Sequence, residues 1–160
     1  MLLQLILATI MVGAIVAIHI TGLGLLSRML RRHADFFHSR RSRPLPLLLA
    51  ATIGIVLIHT VEIWVYAAVY LGLRAFPHFE QALYYSSVTY ASIGYGDVLM
   101  PVKWRIFGAI EGAAGVIMLG WSTAYLVSLL TQLKLIAHDW LSVEDWQVNP
   151  PPRRTAKKSR

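Results

Sequence analysis

The sequence contains no cysteine, and only 14% of its 160 residues are charged. The lack of cysteine excludes disulfide bonds and thiolate metal sites. A charged fraction this low, beside 56% hydrophobic residues, is not typical of a soluble domain. The nucleotide-binding pattern Gly-x-Gly-x-x-Gly and the hydrolase patterns Gly-x-Ser-x-Gly and His-Glu-x-x-His are also absent. We therefore expect that the chain is not an enzyme.

Three apolar blocks are each long enough to cross a bilayer, which takes about 20 residues. The first lies within residues 1–26 and has no basic start, so we expect a retained helix rather than a cleaved signal peptide. The other two cover 45–73 and 104–133. Residues 79–91 are too short to span and too apolar for an ordinary loop, which indicates a re-entrant helix. The predicted fold class is an all-α membrane protein with three transmembrane helices.

Basic residues are concentrated in two regions, 27–44 and 134–160, which hold twelve of the fifteen lysines and arginines. Three spans place both regions on the same side of the membrane. The positive-inside rule makes that side cytoplasmic. We therefore predict a multi-pass protein of the cell membrane with an extracellular N-terminus and a cytoplasmic C-terminal tail. The net charge of +7 then needs no nucleic-acid partner.

Within the segment 27–44, the apolar residues Met29, Leu30, Phe36 and Phe37 recur about one heptad apart among arginines. This pattern predicts an amphipathic helix that lies on anionic lipid, and a solvated basic loop is the alternative. The predicted lipid contacts are Arg28, Arg31, Arg32, Arg40, Arg41 and Arg43. Arginines at strict three-residue spacing inside an apolar helix, as in a voltage sensor, are absent.

The segment 89–98 reads Thr-Tyr-Ala-Ser-Ile-Gly-Tyr-Gly-Asp-Val, so Gly94 and Gly96 flank a tyrosine. Glycine adopts positive φ without a Cβ penalty, and these two residues let successive peptides point their carbonyl oxygens to one side. A row of such oxygens replaces the water around a bare cation. The segment therefore predicts a cation-binding site made of backbone.

This segment resembles the selectivity filter of potassium channels, usually written Thr-Val-Gly-Tyr-Gly-Asp, with Ser92 in the threonine position and Ile93 in the valine position. The likeness extends back over residues 82–86, Ala-Leu-Tyr-Tyr-Ser, and forward to Asp97 and Pro101. The resemblance implies a pore domain at 45–133 with an outer helix (45–73), a pore helix (79–91), a filter (92–96) and an inner helix (104–133).

By the same resemblance, the chain is a homotetrameric channel that conducts K+ passively and needs no cofactor besides the permeant ion. One filter strand cannot surround an ion, whereas four chains around a closed axis can. The implied ion-binding residues are Ser92, Ile93, Gly94, Tyr95 and Gly96, with K+ coordinated by the carbonyls of the first four and by the Ser92 hydroxyl. Serine keeps the threonine hydroxyl but loses a methyl group.

Four residues are predicted to support the filter. The resemblance implies that Tyr85 donates to Asp97 behind the filter, and ordinary packing of Tyr85 beside a solvated Asp97 is the alternative. Charged groups inside a bilayer usually face protein or water. At 100° per residue, Glu111 lies off the face assigned to the cavity, and Glu62 lies in the extracellular half of its span. We therefore expect both acids behind the filter, where they brace it through hydrogen bonds and are protonated or paired with a neighbour. The alternative is that each acid finds a partner locally and has no role at the filter.

On the inner helix, Gly115 falls near the gating-hinge glycine of potassium channels, and a packing role is the alternative. The same alignment assigns the cavity and gate to Gly115, Val116, Leu119, Thr123 and Val127. His19 is expected to be a polar helix contact or an interfacial residue. His59 has no second histidine at ligand spacing, so no metal site is expected there.

Two other functions are open from the sequence. One is a weakly selective cation channel. The other is a non-conducting accessory subunit that joins other channels, against which the intact filter motif argues.

Overall fold

The structure, a computed structural model, describes residues 1–37 and 45–132 of the chain. Within those ranges it is entirely helical and contains no strand, which confirms the all-α prediction. The helices are α1 (Leu2–Phe37), α2 (Leu45–Gly72), α3 (Phe79–Tyr90) and α4 (Arg105–Gln132), with a 3₁₀ turn at Val102–Trp104 that leads directly into α4.

Three of these helices are long and apolar enough to cross a membrane: the spans are Leu2–Arg32, Leu45–Gly72 and Val102–Gln132. At 1.5 Å per residue the 28 residues of α2 are about 42 Å long, more than the roughly 30 Å of a hydrocarbon core. The 12 residues of α3 reach only about 18 Å, which is too short. The chain is therefore a multi-pass membrane protein in which α3 does not span.

The helix α3 is held between the two helices that flank it in the chain. Both α2 and α4 pack against α3, and both also pack against α1. The core that joins them is rich in aromatic rings, and the largest fully buried side chains include Tyr66, Tyr70, Tyr90 and Phe107. Aromatic rings bury large areas and have few rotamers. This core therefore fixes α3 firmly relative to α2 and α4.

The first helix is longer than the sequence predicts. Residues 27–37 continue α1 instead of forming a separate helix on the membrane surface. The reason is visible in the core, because Leu23, Leu26 and Leu30 continue one helical stripe and pack against α2 at Ala51 and Ile55. Residues 38–44 and 133–160, which include Arg40, Arg41, Arg43 and the predicted tail, lie outside the described residues.

Candidate functional site

The backbone between α3 and the 3₁₀ turn alternates in handedness. φ is positive at Ser92 (56°), Gly94 (55°) and Gly96 (78°) and is not positive at Ile93 and Tyr95 between them. A backbone that presents a row of carbonyls to one side requires such an alternation. The two glycines were expected to have positive φ. Ser92 was not, because the left-handed region costs a non-glycine residue about 1–2 kcal/mol.

Hydrogen bonds to the end of α3 hold the start of this segment. The amide of Ser92 donates to Thr89 O at 2.9 Å, and the amides of Ile93 and Gly94 both donate to Val88 O, at 2.8 and 3.1 Å. These three amides are therefore satisfied by helix carbonyls. The carbonyl oxygens of residues 92–95 accept no hydrogen bond from any residue that the structure describes. The segment thus offers free oxygens on a fixed backbone.

The same segment is uncovered in the single chain. Residues 91–97 are all exposed, and the side chain of Tyr95 is 70% exposed. An exposed run with apolar Ile93 and aromatic Tyr95 beside free carbonyls indicates a surface that another molecule covers.

The predicted hydrogen bond between Tyr85 and Asp97 was wrong. The donor is the preceding residue, Tyr84, whose hydroxyl lies 2.6 Å from Asp97 Oδ2. One residue along a helix is a 100° rotation, so Tyr85 faces the core instead, where its ring packs against Tyr70 and Phe76 at centroid distances of 5.5 and 5.1 Å. The hydrogen bond from Tyr84 lowers the pKa of the Asp97 carboxyl, which therefore remains ionised at neutral pH.

Glu111 is completely buried where α4 meets α2 and α3. Its carboxyl group accepts hydrogen bonds from Tyr70 on α2 and Ser86 on α3. The Ser86 hydroxyl also lies 3.1 Å from the carbonyl of Ile63. Ser86 therefore has one proton and two neighbouring acceptors, the Glu111 carboxyl group and the Ile63 carbonyl. Glu111 thus joins three helices, on the side of α4 that the sequence predicted.

Glu62 is also completely buried, and it lies at the contact of four helices. Its carboxyl group is 2.9 Å from His19 Nδ1 on α1 and 3.0 Å from His59 Nδ1 on α2. It accepts a hydrogen bond from Tyr90, the last residue of α3. On α4, Ser122 Oγ contacts His59 Nε2 at 2.9 Å. Sequence reasoning missed that His19 meets His59, because the two lie forty residues apart on different helices.

Three glycines on α4 allow α3 to approach closely. A Cβ added at Gly108 would clash with the hydroxyl of Tyr85, and one at Gly112 would lie 3.4 Å from Thr89 O. A Cβ at Gly115 would clash with the backbone carbonyl of Tyr90. Gly115 is buried and faces α3. Only glycine fits there, which favours the packing role over the hinge.

We expect Gly115→Ala to destabilise the protein by about 1–3 kcal/mol, the usual cost of overpacking, because a backbone carbonyl cannot rotate away as a side chain can. The matched control is Gly120→Ala on the same helix, where the added Cβ meets no atom of the chain within 4 Å. Thermal unfolding in detergent should separate the two variants. If the two variants were equally stable and channel opening changed in Gly115→Ala alone, the result would favour the hinge role of Gly115.

The other predicted cavity residues lie on a part of α4 that the rest of the single chain leaves uncovered. Val116, Leu119, Thr123 and Val127 are all exposed in the single chain. Val116 is 53% exposed and Val127 is 50% exposed, although both are apolar and most of their neighbours along α4 are apolar too. The four residues follow one another at spacings of three and four, so they share one side of α4.

Comparison with known proteins places this arrangement in a family. Residues 48–132, slightly more than half of the chain, match the family model described as "Ion channel". The matched region begins in α2 and ends with α4, so it contains α3 and the segment 92–96 and leaves α1 outside. No curated protein and no solved structure matches the chain significantly.

Proposed function

Since the chain belongs to this ion channel family, we propose that it is a potassium-selective channel in which four copies surround one pore. The observation that carries the proposal is the backbone of residues 92–96, with positive φ at alternate residues and carbonyls free of hydrogen bonds within the described chain. Removing the water from a cation costs on the order of tens of kcal/mol unless other oxygens replace it. A fixed row of free carbonyls supplies those oxygens.

The tetramer follows from how little of an ion one chain can surround. A single strand contacts a cation from one side, whereas closed four-fold symmetry brings four strands around it. The exposed segment 91–97 and the exposed face of α4 are the surfaces that assembly would cover. Each copy then contributes the same residues to the pore.

In this pore, K+ passes along the carbonyl oxygens of Ser92, Ile93, Gly94 and Tyr95, with the Ser92 hydroxyl at the inner end. The ring of Tyr95 points away from the ions and holds the diameter of the filter through packing. Gly96 supplies the last left-handed residue.

Below the filter, Val116, Leu119, Thr123 and Val127 line a water-filled cavity. The C-terminal end of α3, which carries the negative end of the helix dipole, favours a cation at that point.

The two buried acids support the filter from behind in this proposal. Glu111 holds α3 to α2 and α4 through Ser86 and Tyr70. Glu62 holds the end of α3 through Tyr90, two residues before Ser92. Both contacts act on the helix whose carbonyls bind the filter amides. Their effect is therefore transmitted to the filter backbone directly.

The membrane orientation is proposed from charge. The N-terminus is extracellular and the C-terminus cytoplasmic, which places Asp97 on the outside. Arg28, Arg31 and Arg32 are exposed at the cytoplasmic end of α1 and bind anionic lipid, at about 1 kcal/mol per basic residue near the surface.

Potassium flux from the purified protein alone, reconstituted into liposomes, tests conduction. We expect concentration-dependent K+ flux that a filter variant, Gly94→Ala, reduces strongly. The added methyl group meets no atom of its own chain within 4 Å and therefore acts through the positive φ of that residue.

Absence of flux from a correctly folded parent protein would favour the accessory-subunit alternative. Equal flux of K+ and Na+ would favour the weakly selective channel. A Gly94→Ala variant that conducts like the parent would contradict the assignment of the filter.

A further inference from the structure

A group of nitrogen and oxygen donors is buried where α1 meets α2. His19, His59 and Glu62 each offer a ligand atom, and these atoms lie within 4.8 Å of one another. His19 and Glu62 have no exposed surface, and His59 is 8% exposed. The two imidazole rings lie 5.3 Å apart between centroids. Two imidazoles and a carboxylate form the donor set of known zinc sites.

The orientation of both rings fits metal ligation. Each ring turns Nδ1 toward the Glu62 carboxyl group, at 2.9 Å for His19 and 3.0 Å for His59. Each ring turns Nε2 toward the hydroxyl of Ser122, at 3.4 and 2.9 Å respectively. Histidine ligands almost always have their second ring nitrogen held by a hydrogen bond in this way. Ser122 therefore fixes two rings with their Nδ1 atoms converging.

A fourth oxygen lies on the same side as the converging nitrogens. The hydroxyl of Tyr90 is 3.0 Å from His59 Nδ1 and donates to the Glu62 carboxyl group. With zinc bonds of about 2.0–2.1 Å, neighbouring ligand atoms in a tetrahedral site are about 3.3 Å apart. The separations of 2.9 and 3.0 Å between the Nδ1 atoms and the Glu62 carboxyl group are a few tenths of an ångström shorter than this, and the Tyr90 hydroxyl lies closer still to that carboxyl group. The ligand atoms would therefore move apart when an ion binds.

Ligation through both Nδ1 atoms is compatible with the hydrogen bonds of the second ring nitrogens. With each Nδ1 on the metal ion, both Nε2 atoms carry protons, and the Ser122 oxygen has two lone pairs to accept them. The Glu62 carboxylate would offset part of the charge of a divalent ion at this buried position.

We propose that His19, His59, Glu62 and Tyr90 form a binding site for a divalent transition-metal ion of the zinc class. The site ties α1, which lies outside the residues matched to the family, to the last residue of α3. It gives the first helix a role in holding the end of α3 that sequence spacing alone does not reveal. The proposal does not depend on potassium conduction.

Zinc retention by the full-length protein tests the site. Protein purified in detergent is stripped with EDTA, loaded with zinc chloride and dialysed, and the bound zinc is measured by elemental analysis. We expect about one zinc ion per chain and a rise in the thermal unfolding midpoint on loading. The variants His19→Gln and Glu62→Gln should lose both the bound zinc and the rise in the unfolding midpoint. The matched control, His78→Gln, removes an exposed histidine and should retain both.

Three further measurements test the site even if a ligand variant folds poorly. Cobalt bound to the parent protein should give the visible absorption of a tetrahedral nitrogen and oxygen site, and a six-coordinate spectrum would overturn the proposal. Ser122→Ala keeps all four ligands and should weaken zinc affinity by about 10–100-fold. If the parent protein retains no zinc, the cluster is a hydrogen-bond network without a metal ion. If His19→Gln retains as much zinc as His78→Gln, the zinc is bound elsewhere. Either result overturns the proposal.

Discussion

Glu111→Ala is expected to destabilise the protein by about 3–8 kcal/mol and to accelerate the loss of tetramer when potassium is withdrawn. Truncating a buried side chain to alanine costs about 2–5 kcal/mol in lost packing. The change also leaves the buried hydroxyl of Tyr70 without its acceptor, which adds about 1–3 kcal/mol. Ser86 keeps one partner, the carbonyl of Ile63.

The effect should reach the filter because Glu111 acts on α3. Without its carboxyl group, α3 loses a hydrogen bond through Ser86 to α4. The amides of Ile93 and Gly94 are bound to Val88 in the same helix, so movement of α3 moves the filter. Glu111→Gln keeps the shape and one carbonyl oxygen. It should therefore fall between the parent and the alanine variant.

Thermal unfolding and tetramer content, each measured in high and in low potassium, would check this prediction. Glu80→Ala is the matched control, because Glu80 lies in the first turn of α3 and is exposed. The support role fails if Glu111→Ala and Glu80→Ala are equally stable and equally indifferent to potassium.

The helices could be predicted from the sequence because a bilayer imposes a length. Apolar runs of this extent have no other stable arrangement in lipid, and the observed ends of α2 and α3 lie within one residue of the predicted ends. The positive φ at Gly94 and Gly96 was predictable for a similar reason, since only glycine adopts it without cost.

Contacts between helices were less predictable, because they depend on rotation and on partners far along the chain. The residue that binds Asp97 is Tyr84, whereas Tyr85 was predicted. The two side chains differ by a 100° rotation about α3, and the motif does not specify that rotation. The meeting of His19 with Glu62 joins residues 43 positions apart. The positive φ of Ser92 has no sequence signal. It belongs to the end of α3, where the amide of Ser92 donates to Thr89 O and the amide of Ile93 donates to Val88 O, a pattern that places the residue after the helix cap in the left-handed region.

Tyr95→Asp is expected to lower the preference for potassium over sodium at least tenfold while the tetramer persists. In the proposed pore, the substitution replaces an aromatic ring that would hold the filter diameter with a shorter acid, and four copies would add four negative charges that attract any cation. The substitution lies on a side chain that is 70% exposed in the single chain, so folding of the monomer should be unaffected. Tyr95→Phe keeps the ring and is the matched control.

The most direct test of the central claim is the reversal potential of the purified protein in planar bilayers, with potassium on one side and sodium on the other. For monovalent ions, a tenfold permeability ratio corresponds to about 59 mV. The account predicts a displacement larger than this for the parent and for Tyr95→Phe, and a much smaller one for Tyr95→Asp. A parent protein that reverses near 0 mV, or a Tyr95→Asp variant that reverses where the parent does, would contradict it.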